Sequence, residues 1–105
     1  MSVTVAAEFE VIDTLAAELA GLAAELAGEA QLCRSTAVSL GTAVGGGAGE
    51  RAGAAGSGWA TTLELLGRQA AALAATLSAA VDSYRMADAT LADRVLAHRS
   101  APAGR

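Results

Sequence analysis

The 105-residue sequence contains no lysine and no asparagine, a single cysteine, a single proline and only three aromatic residues. With Cys33 alone, an internal disulfide cannot form and a structural zinc site has too few ligands. We interpret Cys33 as a small buried apolar residue, as free cysteines usually are. The scarcity of these residues argues against a disulfide framework and against a metal centre.

Long apolar runs and basic stripes are also missing. No apolar run approaches the roughly 20 residues that a membrane span requires, so we expect no stable membrane insertion. Seven arginines stand against eleven acids, giving a net charge of −4. Nucleic-acid binding needs a basic stripe, and membrane-active helices carry a basic polar face. We therefore expect neither nucleic acid nor a lipid surface as the partner.

Nothing in the chain resembles a catalytic constellation. Catalysis requires titratable groups that converge in a pocket sheltered from water, and the single histidine, His98, is expected near a fraying helix end. We predict that the protein is not an enzyme and that it needs no cofactor. The first five residues carry no basic residue, and acids follow from Glu8 onwards. That flank is unlike a Sec signal peptide.

What the sequence does contain is heptad periodicity, which predicts two long helices, over about 4–40 and about 59–98. The apolar positions of the first helix fall into two columns with seven-residue steps: Val5, Ile12, Leu19, Leu26, Cys33 and Leu40, and then Phe9, Ala16, Ala23, Ala30, Ala37 and Val44. The predicted seam of the second helix comprises Trp59, Leu63, Leu66, Ala70, Leu73, Leu77, Ala80, Tyr84, Ala87 and Leu91.

Between the helices, residues 41–58 contain eight glycines, and glycine is the weakest helix former after proline. We predict a flexible loop there, in which Gly46→Ala changes little. The chain then forms one all-α domain over 1–100, an antiparallel two-helix hairpin, followed by a disordered tail over 101–105. A turn centred near residue 50 would make the numbers of facing residues add up to about 100. That register places Ala16 near Tyr84, and Phe9 near Leu91.

The apolar stripes are wider than one hairpin can cover, since Leu15, Leu22 and Leu65 lie beside the seam. A second hairpin, from the same or a different chain, would complete a four-helix bundle. We expect the following residues to pack within the hairpin or against that partner: Phe9, Ile12, Leu19, Leu26, Trp59, Leu66, Leu73, Leu77 and Leu91.

Late in the second helix, the run Tyr84-Arg85-Met86-Ala87-Asp88 resembles the Tyr-x-x-x-Asp/Glu export motif of small helical-hairpin substrates of actinobacterial type VII secretion. The resemblance extends over the whole chain and is strongest to the secretion-associated family similar to EspC. Trp59-Ala60-Thr61 lacks the glycine of the WXG branch, and no Pro-Glu pair marks the PE branch. The resemblance implies recognition of Tyr84 and Asp88 by the secretion machinery, and export without a signal peptide from the cytoplasm to the surface or medium.

From the residues alone, an interpretation without export is also open. Tyr84 would then be an aromatic of the seam, Asp88 a solvated helix charge, and Trp59 a packing anchor near the turn. The protein would be an intracellular, self-associating helical adaptor or structural module.

Overall fold

Two long α-helices make up the part of the chain that the computed structural model describes, residues 3–100. Helix α1 is Val3–Val44 and helix α2 is Gly46–Ser100. They run antiparallel, as the contacts of Phe9 with Tyr84 and of Arg34 with Glu64 require. The pair forms a rod with extents of 90 × 22 × 12 Å. The predicted all-α hairpin is confirmed, whereas the predicted disordered tail lies outside the described residues.

The turn between the helices occupies far less of the chain than predicted. Of residues 3–100, only Gly45 is outside a helix, so the predicted loop over 41–58 is wrong. Gly45 and Gly46 have φ of 71° and 60°, a left-handed backbone that costs other L-residues about 1–2 kcal/mol each. The expectation that Gly46→Ala changes little is therefore also wrong, because an alanine there would be strained.

Two of the helical glycines beyond the turn lie where the two backbones approach closely. A Cβ on Gly49 would come within 2.7 Å of the Gly41 carbonyl oxygen, and a Cβ on Gly56 within 2.6 Å of the Ala37 Cβ. Each glycine in a helix costs roughly 1 kcal/mol relative to alanine. Here the cost is offset by close interhelical packing that no larger residue would allow.

On α1 the buried positions follow the two predicted columns. Ala16, Ala30 and Ala37 are buried, and half-buried side chains alternate with them along the helix: Phe9, Ile12, Leu19, Ala23, Leu26 and Cys33. This stripe of alternating small and larger residues faces α2, and α2 completes the narrow core.

On α2 only half of the predicted seam faces α1. Leu63, Ala70 and Leu77 are half-buried as predicted, but the other half of the interface consists of smaller residues. Trp59, Leu66, Leu73 and Leu91 are exposed instead of packed within the hairpin. Small residues bring the helices close together, so the large side chains one position earlier are turned outward. The buried residues of α2 beyond the turn region form a column with seven-residue steps: Ala60, Gly67, Ala74 and Val81.

The helices pair one heptad away from the predicted register. Phe9 stacks on Tyr84, and Gly56 approaches Ala37, so that facing residue numbers add up to 93 in both pairs. The predicted approach of Ala16 to Tyr84, and of Phe9 to Leu91, is therefore wrong. A tight turn at Gly45, in place of a long loop, moves α2 by seven residues, and a heptad seam permits that shift because it repeats every seven residues.

Candidate recognition surface around Tyr84

The predicted motif residues lie where the N-terminal part of α1 meets the last third of α2. The Phe9 and Tyr84 rings are 6.2 Å apart between centroids, with an interplanar angle of 21°. Such stacked pairs contribute about 0.5–1.5 kcal/mol beyond the area that they bury. Tyr84 is nevertheless 66% exposed, so the stack holds the ring in place while most of it remains open to a partner.

Arg85 fixes the same end of the hairpin from the neighbouring helical position. Its Nη1 lies 2.7 Å from Oδ2 of Asp13, and its guanidinium carbon lies 5.8 Å from the centroid of the Phe9 ring. A guanidinium at that distance from an aromatic ring makes a cation–π contact. Phe9 therefore contacts both Tyr84 and Arg85, which restricts the rotation of α2 about its axis at the motif.

Asp88 lies one turn after Tyr84, in the same column of α2 as the buried residues Ala74 and Val81. It is half-buried, where the sequence predicted a mostly exposed carboxylate. Among residues 3–100 the ion pairs are Arg34–Glu64 and Arg85–Asp13, so Asp88 has no basic partner there. An uncompensated carboxylate beside an anchored, exposed tyrosine can accept hydrogen bonds or an arginine from another molecule.

Beyond the motif, α2 continues alone. With Phe9 facing Tyr84, the first described residue of α1 faces a position near 90, and about ten residues of α2 extend past it, roughly 15 Å at 1.5 Å per residue. Every residue from 89 to 99 is exposed. The side chains of this extension include three large apolar ones, Leu91, Val95 and Leu96. Tyr84 and Asp88 thus lie at the junction between the paired helices and a single helix.

A second ion pair lies nearer the turn and has clear electrostatic consequences. Nε and Nη2 of Arg34 are both 2.7 Å from Oε1 of Glu64, and Nη2 also donates to Oγ1 of Thr61 at 3.4 Å. The hydrogen bond from Arg34 lowers the pKa of the Glu64 carboxyl and raises the pKa of the Arg34 guanidinium. Twenty-one residues separate Asp13 from Arg34, and the same number separates Glu64 from Arg85. Both pairs therefore stand on one side of the hairpin, three heptads apart.

The remaining predicted residues divide between the interface and the outer surface. Phe9, Ile12, Leu19, Leu26 and Leu77 lie half-buried along the line where the helices meet. Exposed fractions are 59% for Trp59, 46% for Leu66 and 50% for Leu73, so these side chains do not pack within the hairpin. Leu91 lies on the single-helix extension.

Sequence reasoning missed the interface glycines, although a signal for them was present. Gly49, Gly53, Gly56 and Ala60 follow one another in steps of four, three and four residues. The rest of α2 has the same heptad spacing. The glycines therefore continue the buried side of α2 back to the turn.

Two properties bear on what the surface could bind or do. In residues 3–100, no three His, Cys, Asp or Glu side chains are grouped so that they could hold a metal ion. Neither helix, over its described length, has a stretch apolar enough to cross a membrane. An exposed aromatic ring with a neighbouring carboxylate on a rigid helix is suited to protein recognition.

Compared with family models, with curated proteins and with solved structures, the chain matches none of them. The resemblance to type VII secretion substrates therefore depends on the length, the helical periodicity and the run from Tyr84 to Asp88.

Proposed function

We propose that the protein is a non-enzymatic substrate, or secretion-associated component, of a type VII secretion system. In this proposal it is made in the cytoplasm and leaves as a folded hairpin for the cell surface or the medium. Tyr84 and Asp88 form the element that the secretion machinery recognises. A second helical hairpin pairs with it to complete a four-helix bundle.

The observation that carries the proposal is the arrangement at the end of the paired helices. Tyr84 is held on Phe9 yet mostly exposed, and Asp88 follows it without a basic partner among residues 3–100. Tyr84 and Asp88 lie at the junction between the paired helices and the single-helix extension of α2, which is exposed from residue 89 to residue 99. A receptor could therefore bind Tyr84 and Asp88 without separating α1 from α2.

The alternative, an intracellular self-associating adaptor, depends on a different feature of the hairpin. Trp59, Leu66 and Leu73 are exposed on α2, and a soluble protein rarely leaves such a row of large apolar side chains uncovered. Both functions require a partner on that face, and only the export function requires Tyr84 and Asp88.

An export assay separates the two functions. We expect a Tyr84→Ala/Asp88→Ala variant, expressed in an actinobacterial host with an active type VII system, to accumulate in cells and to be absent from the medium. Loss of the Phe9 stack costs about 0.5–1.5 kcal/mol, so circular dichroism must first show that the purified variant is helical and folded.

A matched control removes one large side chain and one acid from the same helix but leaves both Tyr84 and Asp88 in place. Met86→Ala/Asp93→Ala meets this requirement because both residues are exposed, and we expect this variant to be exported like the wild type. Normal export of the folded Tyr84→Ala/Asp88→Ala protein would contradict the proposal and leave the intracellular adaptor as the better interpretation.

A further inference from the structure

Two ion pairs bridge the helices on one side of the hairpin, and large apolar side chains are exposed on the opposite side. Arg34 comes four residues after the buried Ala30, and Glu64 comes four residues after the buried Ala60. By contrast, Leu22 and Leu73 each come one residue before an alanine of the interface. In a helix these offsets point to opposite sides of the seam. We call the second side the open apolar face, and its large exposed side chains are Val11, Leu15, Leu22, Leu32, Trp59, Leu66 and Leu73.

The two halves of the open apolar face differ in charge. On α1, acids alternate with the apolar residues, and no base accompanies them: Glu8, Glu18, Glu25 and Glu29. On α2, the exposed positions along the face from 59 to 83 carry no charge: Trp59, Thr62, Leu66, Gln69, Leu73, Thr76, Ala80 and Ser83. The face therefore presents an acidic apolar half beside a neutral apolar half.

Among residues 3–100, no arginine in the paired part of the helices lies on the open apolar face, while Arg94 and Arg99 are exposed on the single-helix extension past Asp88. Arg34 and Arg85 are held in ion pairs on the other side of the hairpin. Arg68 lines the groove on that same side, with Ala27 and Glu64. Arg51 lies near the turn and donates to the Gly47 carbonyl. Since like charges brought together across an interface are unfavourable, an apolar helix with its own bases fits the acidic half better.

The surface around Gly28 shows how such a helix could be received. Leu22, Leu26 and Leu32 line a shallow concavity together with Glu25 and Glu29. Gly28 adds no side chain, and a Cβ there would have nothing within 4 Å. An arginine can lay its aliphatic stem on leucines and carry its guanidinium to a carboxylate. We propose that the open apolar face binds a helix of a different protein, whose apolar stripe is flanked by arginine or lysine.

This inference deepens the proposed pairing with a second hairpin, because it assigns that partner a basic and apolar surface. The test uses a synthetic amphipathic helix with a leucine stripe flanked by arginines, and a matched peptide with glutamines in place of the arginines. Trp59 is the only tryptophan and lies on the face, so its fluorescence reports when the face is covered. We expect the arginine peptide to bind about tenfold more tightly or better, corresponding to about 1.4 kcal/mol.

Two charge variants locate the contact. Glu25→Gln/Glu29→Gln should lose the preference for the arginine peptide. Glu50→Gln/Asp82→Asn changes the net charge equally at exposed positions away from the face and should retain it. Equal affinity for the two peptides, or equal effects of the two variants, would overturn the proposal. A wild-type dimer that covers Trp59 and excludes the arginine peptide would also overturn it and make a second copy the occupant. Export of the Tyr84→Ala/Asp88→Ala variant is measured separately, so failure here leaves the export proposal standing.

Discussion

Individual side chains fix this hairpin at two points, and both are polar or aromatic contacts in an otherwise aliphatic molecule. Near the turn, Arg34 bridges to Glu64 and Thr61. Near the open end, Phe9 contacts Tyr84 and Arg85. A heptad seam of alanines and leucines would tolerate a slip by seven residues, and such a slip would break both of these sets of contacts. The specific contacts therefore select one register, and that register brings Phe9 under the motif tyrosine.

The Glu64 carboxylate should make stability depend on pH in a defined direction. Its pKa is lowered in the folded protein because Arg34 donates a hydrogen bond to it. A lowered folded-state pKa means that the stabilisation is fully present above the ordinary glutamate pKa of about 4.3. It is lost as the pH falls through the lower folded-state value. Glu64→Gln should therefore be less stable than the wild type at pH 7, and the difference should shrink in acid.

Urea unfolding followed by circular dichroism between neutral and acidic pH measures that difference. Glu18→Gln is the control because Glu18 is exposed and makes no ion pair within residues 3–100. At pH 7 its difference from the wild type should be smaller than that of Glu64→Gln, because no ion pair is lost. A Glu64→Gln difference that is insensitive to pH would show that the ion pair does not contribute to folding.

Helix α1 and the glycine-rich start of α2 are helical for different physical reasons. Alanines and leucines at heptad spacing made α1, and its buried face, predictable from the sequence. The start of α2 was not predicted, because a glycine's low helix propensity reflects its cost in an isolated helix. Burial of Gly49 against Gly41 is a tertiary contact, and tertiary contacts can override propensity. The seam of α2 was misplaced for a related reason, since the largest apolar residues were assigned to the interface where Ala60 and Gly67 lie instead.

Two neighbouring glycines of α2 provide a matched test of this packing. Gly56→Ala would place a Cβ 2.6 Å from the Ala37 Cβ, whereas Gly58→Ala meets nothing within 4 Å. Overpacking of this kind typically costs about 1–3 kcal/mol. Gly58→Ala should stabilise the protein by about 0.5–1 kcal/mol, because alanine is the better helix former.

Thermal and urea unfolding, followed by circular dichroism at 222 nm, tests whether Gly56→Ala lowers the stability of the protein and Gly58→Ala raises it. Both variants have the same composition, so any difference between them comes from position. If both substitutions stabilised the protein equally, residues 46–58 would be helical without packing on α1. If neither changed stability, the segment would be a flexible loop, as the sequence alone suggested.

For the molecule as a whole, the register determines which surfaces are available for function. The two ion pairs bridge the helices on one side, the open apolar face lies on the other, and α2 extends alone past Asp88. The hairpin could be predicted from periodicity. Neither the ion pairs nor the position of Phe9 under Tyr84 could be predicted, because a heptad pattern is unchanged by a shift of seven residues. A turn of one or two residues in place of a long loop decides between these registers.

The register is therefore the central structural claim, and cross-linking of paired cysteines tests it most directly. In a background where Cys33 is replaced by alanine, Phe9→Cys/Tyr84→Cys is compared with Ala16→Cys/Tyr84→Cys, using a short homobifunctional maleimide on the monomeric fraction. The positions differ by seven residues, about 10 Å along α1. We expect rapid intramolecular cross-linking of the 9/84 pair and little of the 16/84 pair. Preferential cross-linking of the 16/84 pair would contradict this structure and restore the long glycine loop.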